Sequence, residues 1–194
     1  MKKLTALLAG LAFLVLLTGC GTSVGSSSAA AFSFYAPAFS FDSGGNYTGF
    51  GGLPTSCTQE AAKKNGYAVM RDSKFAANEK AWMDFVKASS AKKNAAVRLA
   101  EFYTEEKKGP FFLDVFYRDG SYYLFDSDAR TFEKHPFKYL LTLTGKSGIP
   151  KRGSKAVVLT DDAKLTFDEV WKYFISSDTR VTDQISPFKL IMFQ

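Results

Sequence analysis

Phe111-Phe112-Leu113-Asp114-Val115-Phe116-Tyr117, then Arg118-Asp119-Gly120-Ser121, then Tyr122-Tyr123-Leu124-Phe125 is the stretch that decides the fold class of this chain. Aromatic and β-branched side chains suit a pleated, packed surface. Asp119-Gly120 between two such runs marks a hairpin, because glycine reaches the positive φ that a tight turn needs. Just upstream, Val97, Leu99, Glu101 and Tyr103 alternate with Arg98, Ala100, Phe102 and Thr104, which is the period of a strand. Glu105-Glu106-Lys107-Lys108-Gly109-Pro110 joins the two as a charged turn ending in breakers. The three runs read as an antiparallel meander.

Working outward, Tyr67-Ala68-Val69-Met70 is a short strand candidate. It precedes a helix over about 76–92, where Trp82, Phe85, Val86 and Ser89 share one face while Lys80, Asp84, Lys87 and Lys92 take others. Asn78 or Ser73 is placed to cap its start. On the other side, 137–144 and 155–160 are strand candidates. Thr166-Phe167-Asp168-Glu169 is a capping box that opens a second helix with Phe167, Val170, Trp171 and Phe174 as its apolar stripe. A core stripe is the preferred reading of those aromatics over a cofactor box. The tail Phe188-Lys189-Leu190-Ile191-Met192-Phe193 is a last strand or a docked apolar end. The pattern predicts an α+β domain over 58–194: a mostly antiparallel sheet of five to six strands with two amphipathic helices packed on one face.

The N-terminus differs in kind. Met1-Lys2-Lys3 is followed by an uncharged apolar run from Leu4 to Leu17, then by Thr18-Gly19-Cys20. That run of 14 residues is short of the roughly 20 that a spanning helix needs. Its charged start and small-residue end have the form of a removable export signal over 1–19. Leu17-Thr18-Gly19-Cys20 resembles the bacterial lipobox, which implies lipid attachment at Cys20 and a mature protein tethered to the outer face of the cell membrane. Two acyl chains hold a protein stably where one does not. From Gly21 to Cys57, Gly, Ser and Ala dominate and Asp42 is the only charge, so 20–57 reads as a lipidated cysteine and a flexible spacer. An aromatic every few residues, from Phe32 to Phe50, is compatible with rings grazing the membrane or the domain, or with weak self-association.

Net charge is +6 for the whole chain and +4 without Lys2 and Lys3. That is too mild to indicate nucleic acid, and an exported location argues further against it. With Cys20 lipidated, Cys57 has no intramolecular partner and reads as a free thiol in polar surroundings.

The succession of the short strand, Asn78, Trp82 and Phe85, the basic strand Val97-Arg98-Leu99, Tyr103-Thr104-Glu105 and finally Asp119-Gly120 resembles a domain of unknown function found in small exported lipoproteins of Gram-positive bacteria. The resemblance covers about 67–126. It implies localisation and fold class, and carries over no functional residue.

Chemical motifs are sparse. His135, the only histidine, precedes Pro136 in a loop and reads as a surface residue. Gly145-Lys146-Ser147 lacks the earlier glycine of a phosphate loop, since position 140 is Leu140. Asp126-Ser127-Asp128 is followed by Arg130 and Thr131 where a calcium loop wants a ligand and a glycine. No pattern asks for a cofactor or a metal. Lys146, Lys151, Arg152 and Lys155 lie within ten residues with no acid among them. They are candidates for anion contact with lipid heads, an anionic envelope polymer or an acidic protein, or else form a solvated loop. Three functions remain in view. The leading one is a membrane-tethered extracytoplasmic domain that binds an envelope component. The second is an envelope-polymer hydrolase using scattered carboxylates such as Asp114 and Asp126, which requires those acids to converge in a cleft. The third is a structural spacer.

Overall fold

The computed structural model describes residues 35–54, 56–105, 109–132 and 134–194. Its elements, in chain order, are α1 (Gln59–Lys64), β1 (Ala68–Arg71), β2 (Lys74–Ala77), α2 (Glu79–Ser90), β3 (Ala95–Phe102), β4 (Phe111–Arg118), β5 (Ser121–Asp126), β6 (Tyr139–Ser147), β7 (Arg152–Thr160), α3 (Phe167–Ile175), α4 (Thr179–Thr182) and β8 (Phe188–Phe193). The class is α+β. The strands divide into two sheets, one of five strands in the order β2-β1-β3-β4-β5 and one of three in the order β6-β7-β8. The first is mixed: β1 runs parallel to β3, with Ala68 opposite Leu99, and every other pairing is antiparallel.

The meander forms as its sequence implies. β4 and β5 meet in register from Leu113–Asp126 to Arg118–Ser121, around Asp119-Gly120. The first turn has less local signature: Asp72 and Ser73, between β1 and β2, both take positive φ. The Asp72 carboxylate then accepts from the Thr104 backbone amide and hydroxyl, at 2.8 and 2.6 Å, and fastens that turn to the end of β3.

One core joins the two sheets. Met70, Leu99 and Val115 on one face of the large sheet pack with Trp82 and Phe85 of α2 and with Val157, Leu159 and Ile191 of the small one. The far face of the small sheet, with Ala156 and Val158, is covered by Phe167 and Val170 of α3. The two longer helices thus cover different sheets rather than one common face. Asn78 stands at the N-cap of α2 in a left-handed conformation, but its side chain makes no cap bond. Instead its amide donates to the Lys63 and Tyr67 carbonyls, so it ties α1 to β1. The capping box of α3 is present as expected: Thr166 Oγ1 accepts from the Glu169 amide and Glu169 accepts from the Thr166 amide.

The remaining face of the large sheet corrects the expected spacer. Residues 35–54 do not extend away from the domain but lie on that face as a strap. Phe41 bridges Tyr47, the Tyr47 amide donates to the Phe132 carbonyl, and Tyr47 is 3 % exposed. The rings of Phe39, Phe41 and Tyr47 pack against Phe116, Tyr123 and Phe125. The physical reason is demand from the sheet: β4 is buried on both faces, α2 covers one of them, and on the other α1 reaches only the end with Val69, Ala100 and Phe112. Cys57 is corrected likewise. It is a free thiol, but it packs among Ala62, Tyr67, Val69 and Phe112, and burial pushes its titration up, which keeps it from the reactive thiolate form. Cys20, the export signal and the first part of the expected spacer lie outside the described residues.

Candidate functional site

The most concentrated polar chemistry is inside the molecule. Register places Arg98 of β3 opposite Asp114 of β4, both on the face under the strap. Arg98 is 2 % exposed and Asp114 is fully buried. Arg98 Nε donates to Asp114 Oδ1 at 2.6 Å and Nη2 donates to Oδ2, the two-pronged geometry that a planar guanidinium offers a carboxylate. The strap completes the centre. Tyr47 Oη donates to Asp114 Oδ2 at 2.7 Å, and the Gly49 carbonyl accepts from Arg98 Nη2 at 2.7 Å. Around the guanidinium stand the rings of Tyr35, Phe50, Tyr67 and Phe112, with centroids 5.0–5.9 Å from its carbon. Gly49 is required here, because a side-chain carbon on it would fall within the Tyr47 ring.

Electrostatically, the centre pulls in two directions. Burial lowers Arg98, but hydrogen bonding and charge from Asp114 outweigh it and the guanidinium titrates above its ordinary value. Burial raises Asp114 against the pull of Arg98 and Tyr47. The geometry decides for the ionised pair, since a neutral Asp114 would leave a buried guanidinium without its counter-charge. Tyr47 titrates higher than an ordinary phenol, through burial and the Asp114 charge beside it. Every partner is consumed inside the centre, so it fastens the strap rather than presenting a reactive group.

This arrangement corrects the expectation for Asp114 and Asp126. Asp114 shares its face with Phe112 and Phe116, whereas Asp126 follows Tyr122 and Leu124 onto the other face. The two carboxylates point to opposite sides of the sheet and do not converge. Asp126 instead borders two shallow cavities at the mouth between the sheets, both of which also touch Leu190. One, about 320 Å³, holds Glu101, Tyr103 and Asp128. The other, about 290 Å³, holds Thr131, His135 and Lys189. Glu101 is raised by burial and further by the Asp126 charge, against hydrogen bonds from Tyr103 and Ser73. Asp126 Oδ1 accepts from the Asp128 amide at 2.9 Å, a local turn. His135 is exposed and stands edge-on to Phe137.

The basic cluster lies on the β6–β7 hairpin. Lys146, Lys151, Arg152 and Lys155 are all exposed, and none makes an ion pair among the described residues. Gly145 to Ser147 form the end of β6, with Ser147 and Ser154 hydroxyls 2.6 Å apart, so no helix follows to present amides to a phosphate.

The sequence reading missed the Arg98–Asp114–Tyr47 centre. Its one available signal was a charged residue in the middle of each of two runs that are otherwise apolar. No helix among the described residues is long and apolar enough to cross a membrane. Comparison with protein-family models, with curated proteins and with solved structures finds no match to this chain.

Proposed function

We propose that the chain is a lipid-anchored extracytoplasmic domain that binds a component of the cell envelope, either a protein or an anionic polymer. The observation that carries the reading is Leu17-Thr18-Gly19-Cys20 behind Lys2-Lys3 and an uncharged apolar run. The resemblance over 67–126 to exported lipoprotein domains supports the same location.

The strap changes the mechanics of such a tether. The folded body begins by Tyr35, whose amide donates to the Gly66 carbonyl, rather than at Cys57. The fifteen residues from Cys20 to Tyr35 reach at most about 54 Å when fully extended. A body of this size has a radius of gyration of about 15 Å. Any face of it therefore comes within reach of the bilayer, while partners deep in the envelope do not.

Two measurements test the reading. Mass spectrometry of the mature protein is expected to find a diacylglyceryl-modified Cys20 as its first residue, and Cys20→Ala is expected to release the protein from membranes. An unmodified N-terminus, or undiminished membrane retention of Cys20→Ala, defeats the anchor. Crosslinking in intact envelopes is expected to capture a specific partner through the folded domain. A correctly anchored, folded protein that crosslinks to none defeats the binding role.

A further inference from the structure

We propose that the β6–β7 hairpin is a second membrane contact. In this reading the Ile149-Pro150 tip enters an anionic bilayer surface, and Lys146, Lys151, Arg152 and Lys155 engage the lipid headgroups around it. The inference deepens the anchored reading above, which puts a bilayer within reach.

Three observations converge on the tip. First, Ile149 is fully exposed at the far end of a hairpin whose last pair is Ser147–Arg152. A single exposed isoleucine is ordinary on a protein surface. Here it sits within the turn itself, with Gly148 and Pro150 exposed on either side of it. Second, the cations surround it. Lys146 pairs with Gly153 and Lys155 with Thr144, so the two lysines are diagonal neighbours on one face of the hairpin. Arg152 projects from the opposite face, and Lys151 lies in the turn. Third, the hairpin carries no acid of its own: from Tyr139 to Thr160 there is no Asp or Glu, while all four cations fall between Lys146 and Lys155.

The dimensions agree with an interfacial site. From the Ser147–Arg152 pair back to Thr144–Lys155 is three residues, about 10 Å. Groups that dip to the headgroup–acyl boundary lie about 5–10 Å deep. With Ile149 at that boundary, Lys151 and Arg152 stand in the headgroup layer, and Lys146 and Lys155, set further back, reach towards it with their four-carbon stems. The exposed apolar tip is what favours a bilayer over a wall polymer, which would engage the cations and leave Ile149 in water.

The test uses the full lipidated chain carrying Ile149→Cys labelled with an environment-sensitive fluorophore, with the unsubstituted chain treated identically as background. It is reconstituted into vesicles of phosphatidylglycerol with phosphatidylcholine, or of phosphatidylcholine alone. Since Ile149 touches nothing in the fold, the substitution leaves the domain intact. The expected result is blue-shifted emission, quenched by lipid-borne quenchers, in the anionic vesicles and not in the neutral ones. Adding Lys151→Ala with Arg152→Ala is expected to lower the inserted population about thirtyfold, the product of two headgroup contacts. Water-like emission in both vesicles while the chain stays anchored overturns the proposal and spares the anchor. So does a response to soluble poly(glycerol phosphate) equal to that on anionic vesicles, which would make the polymer the partner. Conversely, insertion of the tip by a chain found without lipid at Cys20 upholds the proposal and removes the anchor.

Discussion

Arg98 and Asp114 show how a buried charge pair can serve folding without serving chemistry. Two ions out of water gain little over apolar residues of the same size, but removing one partner strands the other, at a cost of about 3–5 kcal/mol. Asp114→Ala and Arg98→Met are each expected to lose that much in urea denaturation. Arg98→Met with Asp114→Leu is expected to lose much less than their sum, because neither charge is then left alone. Full additivity would mean that the pair is not coupled. Tyr47→Phe removes one donor to a buried carboxylate and is expected to cost about 1–3 kcal/mol. Gly49→Ala must expel the Tyr47 ring, so it is expected to cost more than Tyr47→Phe and to free residues 35–54 to exchange their amides. Glu101 supplies a pH dependence of opposite sense to that of a stabilising ion pair. Burial raises its titration above the ordinary value of about 4.3, so in the interval between the unfolded and the folded titration points the folded state holds a proton that the unfolded chain has released. Stability contributed by Glu101 is complete below that ordinary value and falls as pH rises towards the folded one. Glu101→Gln keeps an acceptor for Ser73 and Tyr103 and loses the charge. Thermal melts are expected to show it more stable than the unsubstituted protein at pH 7, with the gain vanishing near pH 3.5. An equal gain at both values would place the effect elsewhere.

Among the elements, those whose cause is local were legible in the sequence. The hairpin at Asp119-Gly120 forms because glycine there takes a φ of 85°. The start of α3 forms because Thr166 and Glu169 satisfy each other's amides. Thr166→Ala is expected to lower stability by about 1 kcal/mol and to fray the first turn of α3, as read by amide exchange. Unchanged exchange there would mean that packing of Phe167 and Val170 alone holds the turn. The elements that escaped reading are those whose cause lies far away in the chain. The strap has the composition of a spacer, and what orders it is Asp114, 67 residues on from Tyr47, together with the Phe116 and Phe125 rings. The parallel pairing of β1 with β3 and the division into two sheets have no short-range signature either. One clue was present: Phe112, Leu113, Val115 and Phe116 make β4 apolar on both faces, and two helices on one face cannot cover both. The Asp72-Ser73 turn was invisible for a different reason, since it takes two positive φ values without a glycine and depends on the Thr104 contacts to hold them.

At the scale of the molecule, the two sheets have separate hydrogen-bond ladders but a common core. Val157, Leu159 and Ile191 of the small sheet meet Leu99, Val115 and Tyr122 of the large one, and Tyr122 exchanges backbone bonds of 2.8 Å with Phe137 just before β6. That arrangement makes unfolding a single event. The strap adds a second layer on the outer face of the large sheet, so any loss of the core also releases the segment that leads back to Cys20. Leu159→Ala tests the coupling, because Leu159 is fully buried in the small sheet yet borders the shared core. It is expected to cost about 2–5 kcal/mol. Amide exchange is expected to quicken to the same free-energy extent in β3 and β4 as in β7 and β8, since both open only by the same global transition. If β6–β8 opens alone while β3 and β4 keep their protection, the small sheet is an independent unit. The basic hairpin it carries would then be free to rearrange at a surface without disturbing the strap.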